Sequence, residues 1–307
     1  MDIVILLVGF SIGLVLLVKG ADEMVSSAVQ IALKFKLPSS IIGATFIGFG
    51  TSAPELFAST GAALKGDLDL GIGNIIGSNI ANSLLVVAVL YLALPKDFSQ
   101  KIKLNQISPV WMAILTTVFV STYVLTNEFP FLLGAVLLIL VIYVIYKMIS
   151  TESVDEGELL GEEKNYIWLR GGLSLLATLY GSQLVVDNAV AIAELFGVSS
   201  LIIGSTIIAI GTSLPEVAGT ISAAKMRKPD IVFGNIFGSN LFNIGLVGAT
   251  AIMISPGEIS SVIDYQLFIM YFVSFIVIFL SRNVIKRNTL VGYLFIIVYI
   301  LFLISLF

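Results

Sequence analysis

The chain has 307 residues, of which 58% are hydrophobic and only 12% charged, with a formal net charge of −4. An ordinary soluble domain carries about 25% charged residues, so this sequence has too little polar material to cover a water-soluble surface. It contains no cysteine and no histidine, which excludes disulfides, thiolate nucleophiles, zinc or haem sites built on those side chains, and any imidazole proton relay.

Apolar runs recur along the chain, each long enough to cross about 30 Å of hydrocarbon. They are continuous rather than alternating, which selects helices over barrel strands. In chain order the predicted spans are 2–19, 40–64, 70–94, 107–126, 130–149, 168–186, 200–224, 231–254, 263–281 and 289–306. The first reads as a retained helix, because no basic leader precedes Ile3 and the run continues into Lys19, Gly20, Ala21 and Asp22. Ten spans put both termini on one side. Fifteen of the 16 Lys and Arg residues follow odd-numbered spans, and only Lys65 lies on the other side. The positive-inside rule makes those loops cytoplasmic and both termini extracellular, in a multi-pass cell-membrane protein. The stretch 150–167 carries Glu152, Asp155, Glu156, Glu158, Glu162 and Glu163 and reads as a solvated cytoplasmic linker between residues 1–149 and 168–307.

Those two parts are related. A shift of 161 residues aligns Ile41–Asn82 with Ile202–Asn243 without gaps, 20 of 42 positions being identical. IIGATFIGFGTSAPELFAST and GIGNIIGSNIAN in the first copy answer to IIGSTIIAIGTSLPEVAGTI and VFGNIFGSNLFN in the second. Each copy holds five predicted helices, and an odd number enters the membrane the second time upside down. The expected fold is an all-α polytopic membrane protein of ten transmembrane helices, built as two inverted five-helix repeats with helices 2 and 7 broken.

The repeated motifs carry ionisable and polar groups deep in the spans. Glu55 and Glu216 fall near the middle of spans two and seven. A central carboxylate costs at least about 2.5–3.5 kcal/mol to insert, so it faces a polar interior or a bound ion. Pro54 and Pro215 precede them, with Gly50 and Gly211 four residues back. A proline inside a helix disrupts the bond to that carbonyl, so the expected outcome is a broken helix with unpaired carbonyl oxygens beside a carboxylate. Asn74, Ser78 and Asn82 share one helix face, as do Asn235, Ser239 and Asn243. Gly73 with Gly77, and Gly234 with Gly238, form GxxxG pairs suited to close helix approach. Asn79 and Asn240 lie off this stripe and are assigned to packing or capping. Together with the hydroxyls of Thr51, Ser52, Ser78, Thr212, Ser213 and Ser239, every ligand on offer is a hard oxygen. Calcium accepts six to eight such oxygens in irregular geometry, and two carboxylates balance one divalent ion. Sodium could use the same hydroxyls and carbonyls.

GTSAPE at Gly50–Glu55, GTSLPE at Gly211–Glu216, and GSN at Gly77–Asn79 and Gly238–Asn240 resemble the α-repeats of the calcium/cation antiporter superfamily, in the form of its sodium/calcium exchanger branch. The resemblance implies exchange of calcium against sodium by alternating access. It implies calcium held by Glu55, Glu216 and the carbonyls of Thr51 and Thr212. Sodium would be held by Ser52, Ser78, Ser213, Ser239 and the carbonyls of Gly48 and Ala209, with Asn82 and Asn243 lining the centre. The family often has an aspartate at the position of Asn243, so here two groups titrate, and exchange of protons for calcium through the two glutamates stays open. A passive cation channel fits the repeat less well. An intramembrane protease lacks a catalytic set, so no enzymatic activity is expected. The implied partners are the transported Ca2+ with Na+ or H+ and the lipid bilayer, with no further cofactor, no nucleic acid and no obligatory protein partner.

Overall fold

The computed structural model describes residues 3–101, 104, 106–151, 166–197, 209–260 and 263–306, and most of these are helical. The acidic stretch 152–165 and the predicted span residues 200–208 lie outside the described residues. The helices are α1 (Ile3–Phe35), α2 (Ser39–Thr51), α3 (Ala53–Leu64), α4 (Leu68–Ala93), α5 (Ile107–Thr126), α6 (Phe131–Thr151) and α7 (Ile167–Leu195), followed after one turn at Ala209–Gly211 by α8 (Leu214–Lys225), α9 (Pro229–Ile254), α10 (Asp264–Ser281) and α11 (Thr289–Ile304). Among the described residues, seven helices are long and apolar enough to cross a membrane. The pair α2–α3, bent by 44°, makes an eighth if taken as one span.

The first and sixth predicted spans are longer than hydropathy indicates. α1 has 33 residues and α7 has 29, or roughly 50 and 44 Å at 1.5 Å per residue. A hydropathy window stops at Lys19, Asp22 and Glu23. The helix carries on because its buried face continues through Ala21, Met24, Val25, Ala28 and Ile31, and because Glu23 pairs with Arg170 of α7 at 2.7 Å. The two helices run side by side at a seam of small residues. A Cβ on Gly13 would sit 2.9 Å from the Val185 nitrogen and 3.0 Å from the Gly181 carbonyl oxygen, so only glycine allows this approach. Their outer faces show Ile5, Val8, Val15, Leu173 and Leu176, a surface suited to lipid and not to water.

α4 and α9 lie innermost, with most of their apolar windows enclosed. Each widens into a π turn that starts at the repeated asparagine, Asn82–Val86 in α4 and Asn243–Gly248 in α9. A third lies in α2 at Gly43–Ile47. Such turns insert one residue and shift which side chains share a face, and they concentrate at functional sites. The equivalent GxxxG faces of α4 and α9 sit in different surroundings. Gly234 and Gly238 press on the carbonyl oxygens of Ser40 and Ala44 in α2, where a Cβ has no room, whereas a Cβ on Gly73 or Gly77 would meet nothing within 4 Å.

Two antiparallel strand pairs tie the ends of the bundle. β1 (Ser99–Lys101) pairs with β4 (Val284–Lys286), and β2 (Glu128–Phe129) with β3 (Gly257–Glu258). β1 and β2 flank α5, a 20-residue helix about 30 Å long, so the pairs lie at opposite ends. The polar contacts follow the same division. At the β1–β4 end Arg227 pairs with Asp97 at 2.6 Å, holding that exposed carboxyl below the usual carboxylate range. At the β2–β3 end Asp69 accepts from the Ser260 amide at 2.8 Å, and the Tyr123 hydroxyl donates to Asp264. All the loops joined at one end carry the same predicted sidedness.

Directly opposed strand residues have Cα atoms about 4.5–5.5 Å apart, within disulfide reach, and the chain has no cysteine of its own. Cysteines at Glu128 and Glu258 should therefore cross-link on oxidation, as should a pair at Lys101 and Val284. In the reduced protein in intact cells, a membrane-impermeant thiol reagent should label the first pair and spare the second; the reverse pattern would invert the assigned orientation. Gly234→Ala should lower thermal stability by about 1–3 kcal/mol through overpacking, while Gly73→Ala should leave the melting temperature close to wild type.

Candidate ion-binding site

The site forms at a helix break in the first half and at the matching helix start in the second. α2 ends at Thr51, Ser52 adopts φ −82° and ψ 0°, and α3 restarts at Ala53. In the second half Ser213 adopts φ −93° and ψ 3°, and α8 starts at Leu214. Pro54 and Pro215 are the second residues of the restarted helices. This corrects the expectation of prolines inside a helix: in the first turn the missing N–H has no helical acceptor to lose. The glycines pack inward, Gly50 on Leu175 and Gly211 on Val186 of α7. The Gly211 carbonyl, expected to be unpaired, accepts the Ser182 hydroxyl of α7 at 3.1 Å.

Ser52-Ala-Pro-Glu55 and Ser213-Leu-Pro-Glu216 have the spacing of a capping box, in which serine and glutamate each bond the other's backbone N–H. Neither serine makes a side-chain cap bond. The Ser52 hydroxyl has no hydrogen-bond partner, and both carboxylates turn into the protein. Glu55 and Glu216 are each 2% exposed. Each stands in the first turn of its half-helix, where the positive end of the dipole favours an anion. Oε1 of Glu55 accepts from Ser78 at 3.4 Å, and Oε2 of both glutamates is buried without a partner. Glu216 lies within Coulombic reach of Glu55 and beside the Thr51 hydroxyl. Among the described residues no group of three or more acidic, His or Cys side chains gathers, so a cation here meets two carboxylates and otherwise neutral oxygens.

Those oxygens come from both halves. The Thr51 hydroxyl bonds the Ile47 carbonyl at 3.1 Å and lies 3.4 Å from the Ser239 hydroxyl, which itself donates to the Gly48 carbonyl at 3.3 Å. Ser213 is buried, and Ala209 opens the turn that leads to Gly211. Asn74 donates to Ser59 at 2.9 Å and to the Glu55 carbonyl at 3.5 Å. Its equivalent Asn235 instead accepts from Ser239 at 3.4 Å, and Thr220, the equivalent of Ser59, has no hydroxyl partner.

Asn79 and Asn240, assigned from sequence to packing or capping, are fully buried beside the centre. Asn82 donates to the Asn240 side-chain oxygen at 3.1 Å, and Asn243 donates to that of Asn79 at 3.0 Å. The two bonds exchange under the 161-residue shift. The recurrence of GSN in both copies was the available signal; the cross-repeat pairing was not readable from one helix face.

Two cavities approach this centre and share Thr212 in their walls. One of about 560 Å³ runs from Asp69 and Ser260 past Gly73, Asn74 and Gly77 to Ser78 and Thr212. The other, about 380 Å³, passes Glu194, Asp187 and Ser182 on α7 and reaches Pro54, Pro215 and Thr212. Both lead to the β2–β3 end. At the β1–β4 end the matching path is filled by the contact of α2 with Gly234 and Gly238.

Residues 5–151 and 166–307 match the family described as sodium/calcium exchanger protein. The chain is 39% identical over 263 residues to a putative antiporter, CaxA, of Alkalimonas amylolytica, covering 81% of each. It is 31% identical over 278 residues to the sodium/calcium exchanger MaX1 of Methanosarcina acetivorans, covering 77% of this chain and 79% of that one. Its fold matches a solved structure of the sodium-calcium exchanger NCX_Mj with a TM-score of 0.84 and 28% identity, over 100% of both chains. On the family match across nearly its whole length, this membrane-embedded chain belongs to the sodium/calcium exchanger family of cation antiporters.

Proposed function

We propose that this protein exchanges Ca2+ for Na+ by alternating access, with Glu55 and Glu216 as the charged calcium ligands. The observation that carries the reading is the pair of buried carboxylates, each in the first turn of a helix that starts at a repeated motif and each with an unpartnered oxygen, next to residues that line two cavities. An unpaired carboxylate so enclosed costs several kcal/mol, and a calcium ion between the two removes that cost. Thr51 and Thr212 carbonyls, with Asn82 and Asn243, complete a ligand number in the calcium range.

Sodium is favoured as counter-ion by the neutral oxygens of Thr51, Ser239 and Gly48, clustered within 3.4 Å of one another along the hydrogen-bonded chain. A monovalent ion suits such a set, whereas proton carriage by two glutamates has no use for it. Ser52, Ser78, Ser213 and the Ala209 carbonyl supply the related positions. Two inverted five-helix repeats, 1–149 and 168–307 joined by the linker 150–167, account for the paired motifs and for the exchange of β1–β4 with β2–β3. The differing hydrogen bonds of Asn74 and Asn235, and the open and clamped GxxxG faces, are the two arrangements of one device. In this reading the cavities open outward, and the cytoplasmic path is shut.

Glu55→Gln or Glu216→Gln should reduce calcium transport to background while the protein stays folded, because an amide keeps the shape and removes the charge. Wild-type rates in either variant would remove that residue from the site. Calcium-45 uptake into proteoliposomes should require internal sodium. Uptake driven by a pH gradient alone, without sodium, would make the glutamates proton carriers instead.

A further inference from the structure

We infer that Asn79 and Asn240 are positioning residues that fix the amide orientation of Asn243 and Asn82, so that both present their oxygens to the transported cation. The inference rests on the proposed calcium site and concerns how neutral side chains serve it. A carboxamide has an acceptor oxygen and a donor NH2 of nearly equal size. Only the oxygen ligates a cation, and an asparagine free to turn would show the ion its NH2 group in part of the population. A carboxylate has no such wrong face. The central positions of both halves carry asparagine, so their orientation has to come from neighbours.

On the Asn79 side the direction of the network is set from its outer end. The Asn79 NH2 donates to the Met270 sulfur of α10 at 3.6 Å. A thioether sulfur only accepts, so the Asn79 oxygen faces the other way and accepts the Asn243 NH2 at 3.0 Å. That leaves the Asn243 oxygen buried and without a protein partner. On the other side the Asn240 NH2 donates to the Ser83 hydroxyl at 3.2 Å, and its oxygen accepts the Asn82 NH2 at 3.1 Å. Both central NH2 groups are thereby engaged away from the ion. Each central asparagine also begins a π turn.

The test reads the KM for calcium uptake under the counter-ion gradient that drives the wild-type protein. Asn79→Leu keeps the branched shape and removes the acceptor; its KM should rise roughly 10–100-fold, the usual effect of removing a group that orients a metal ligand. Asn243→Asp in the Asn79→Leu background should return KM to within about threefold of Asn243→Asp alone, because a carboxylate needs no orienting. A packing role for Asn79 predicts no such rescue. Asn240→Leu with Asn82→Asp is the matching pair in the other repeat. An unchanged KM in Asn79→Leu, or a double variant as weak as the single, would overturn the inference. A measurement on the wild-type protein needs no variant to fold: adding Ca2+ should move the Asn243 side-chain carbonyl 13C resonance and leave its NH2 hydrogen-bonded. Loss of that hydrogen bond on adding Ca2+ overturns the inference. If Glu55→Gln leaves calcium transport intact, the calcium site itself is misplaced. If Glu55→Gln abolishes transport and Asn79→Leu leaves KM unchanged, only the positioning role fails.

Discussion

Hydrocarbon offers no hydrogen bonds, and every polar group brought into it must find its partner within the protein or in the ion the protein carries. Most of this structure answers that constraint in ordinary ways, with continuous helices whose outer faces are Ile, Leu, Val and Phe. The answer changes at Ser52 and Ser213. There new helices start, the serines decline the caps their sequence spacing offers, and two carboxylates and a hydroxyl are left buried with oxygens that have no protein partner. Such a site is costly to build, and in the proposed function a bound cation offsets that cost.

The surrounding structure confines that cost to a small volume. α4 and α9 enclose it, bonded to each other through the paired asparagines, with open space beside α4 along Gly73 and Gly77. On the other side α2 lies hard against Gly234 and Gly238. Close backbone approach closes one route and its absence opens the other, so access is decided by van der Waals contact, while affinity is decided by oxygens. The strand pairs at the two ends join loops distant in sequence, which keeps α5, α6, α10 and α11 together around this centre.

Much of this was legible in the sequence because bilayer thickness and the 161-residue register are strong constraints. The break near Gly50–Glu55, the burial of Glu55 and Glu216 and the shared face of Asn74 and Ser78 all follow from them. The extension of α1 to Phe35 was not legible, since Lys19, Asp22 and Glu23 lower hydropathy while Glu23 is satisfied by Arg170, far off in the chain. The position of the prolines was misread for a local reason: Pro in mid-span suggests a kink, and only the φ and ψ of Ser52 and Ser213 show a new helix beginning there. Asn79 and Asn240 escaped because a helical wheel treats one helix at a time, while their partners Asn243 and Asn82 stand on the helix of the opposite half.

The neutrality of Asn82 and Asn243 has an electrical consequence. In the proposed function, two ionised glutamates and one Ca2+ sum to zero, so the loaded centre crosses the membrane field carrying no charge. Membrane potential, worth about 2.3 kcal/mol per elementary charge per 100 mV, then acts on the return limb alone. Two monovalent ions returning would make the cycle silent to voltage, and three would drive one charge per turnover. An aspartate at either central position would move part of that voltage dependence onto the calcium step. The choice of an amide over a carboxylate therefore sets which half of the cycle the cell's membrane potential controls.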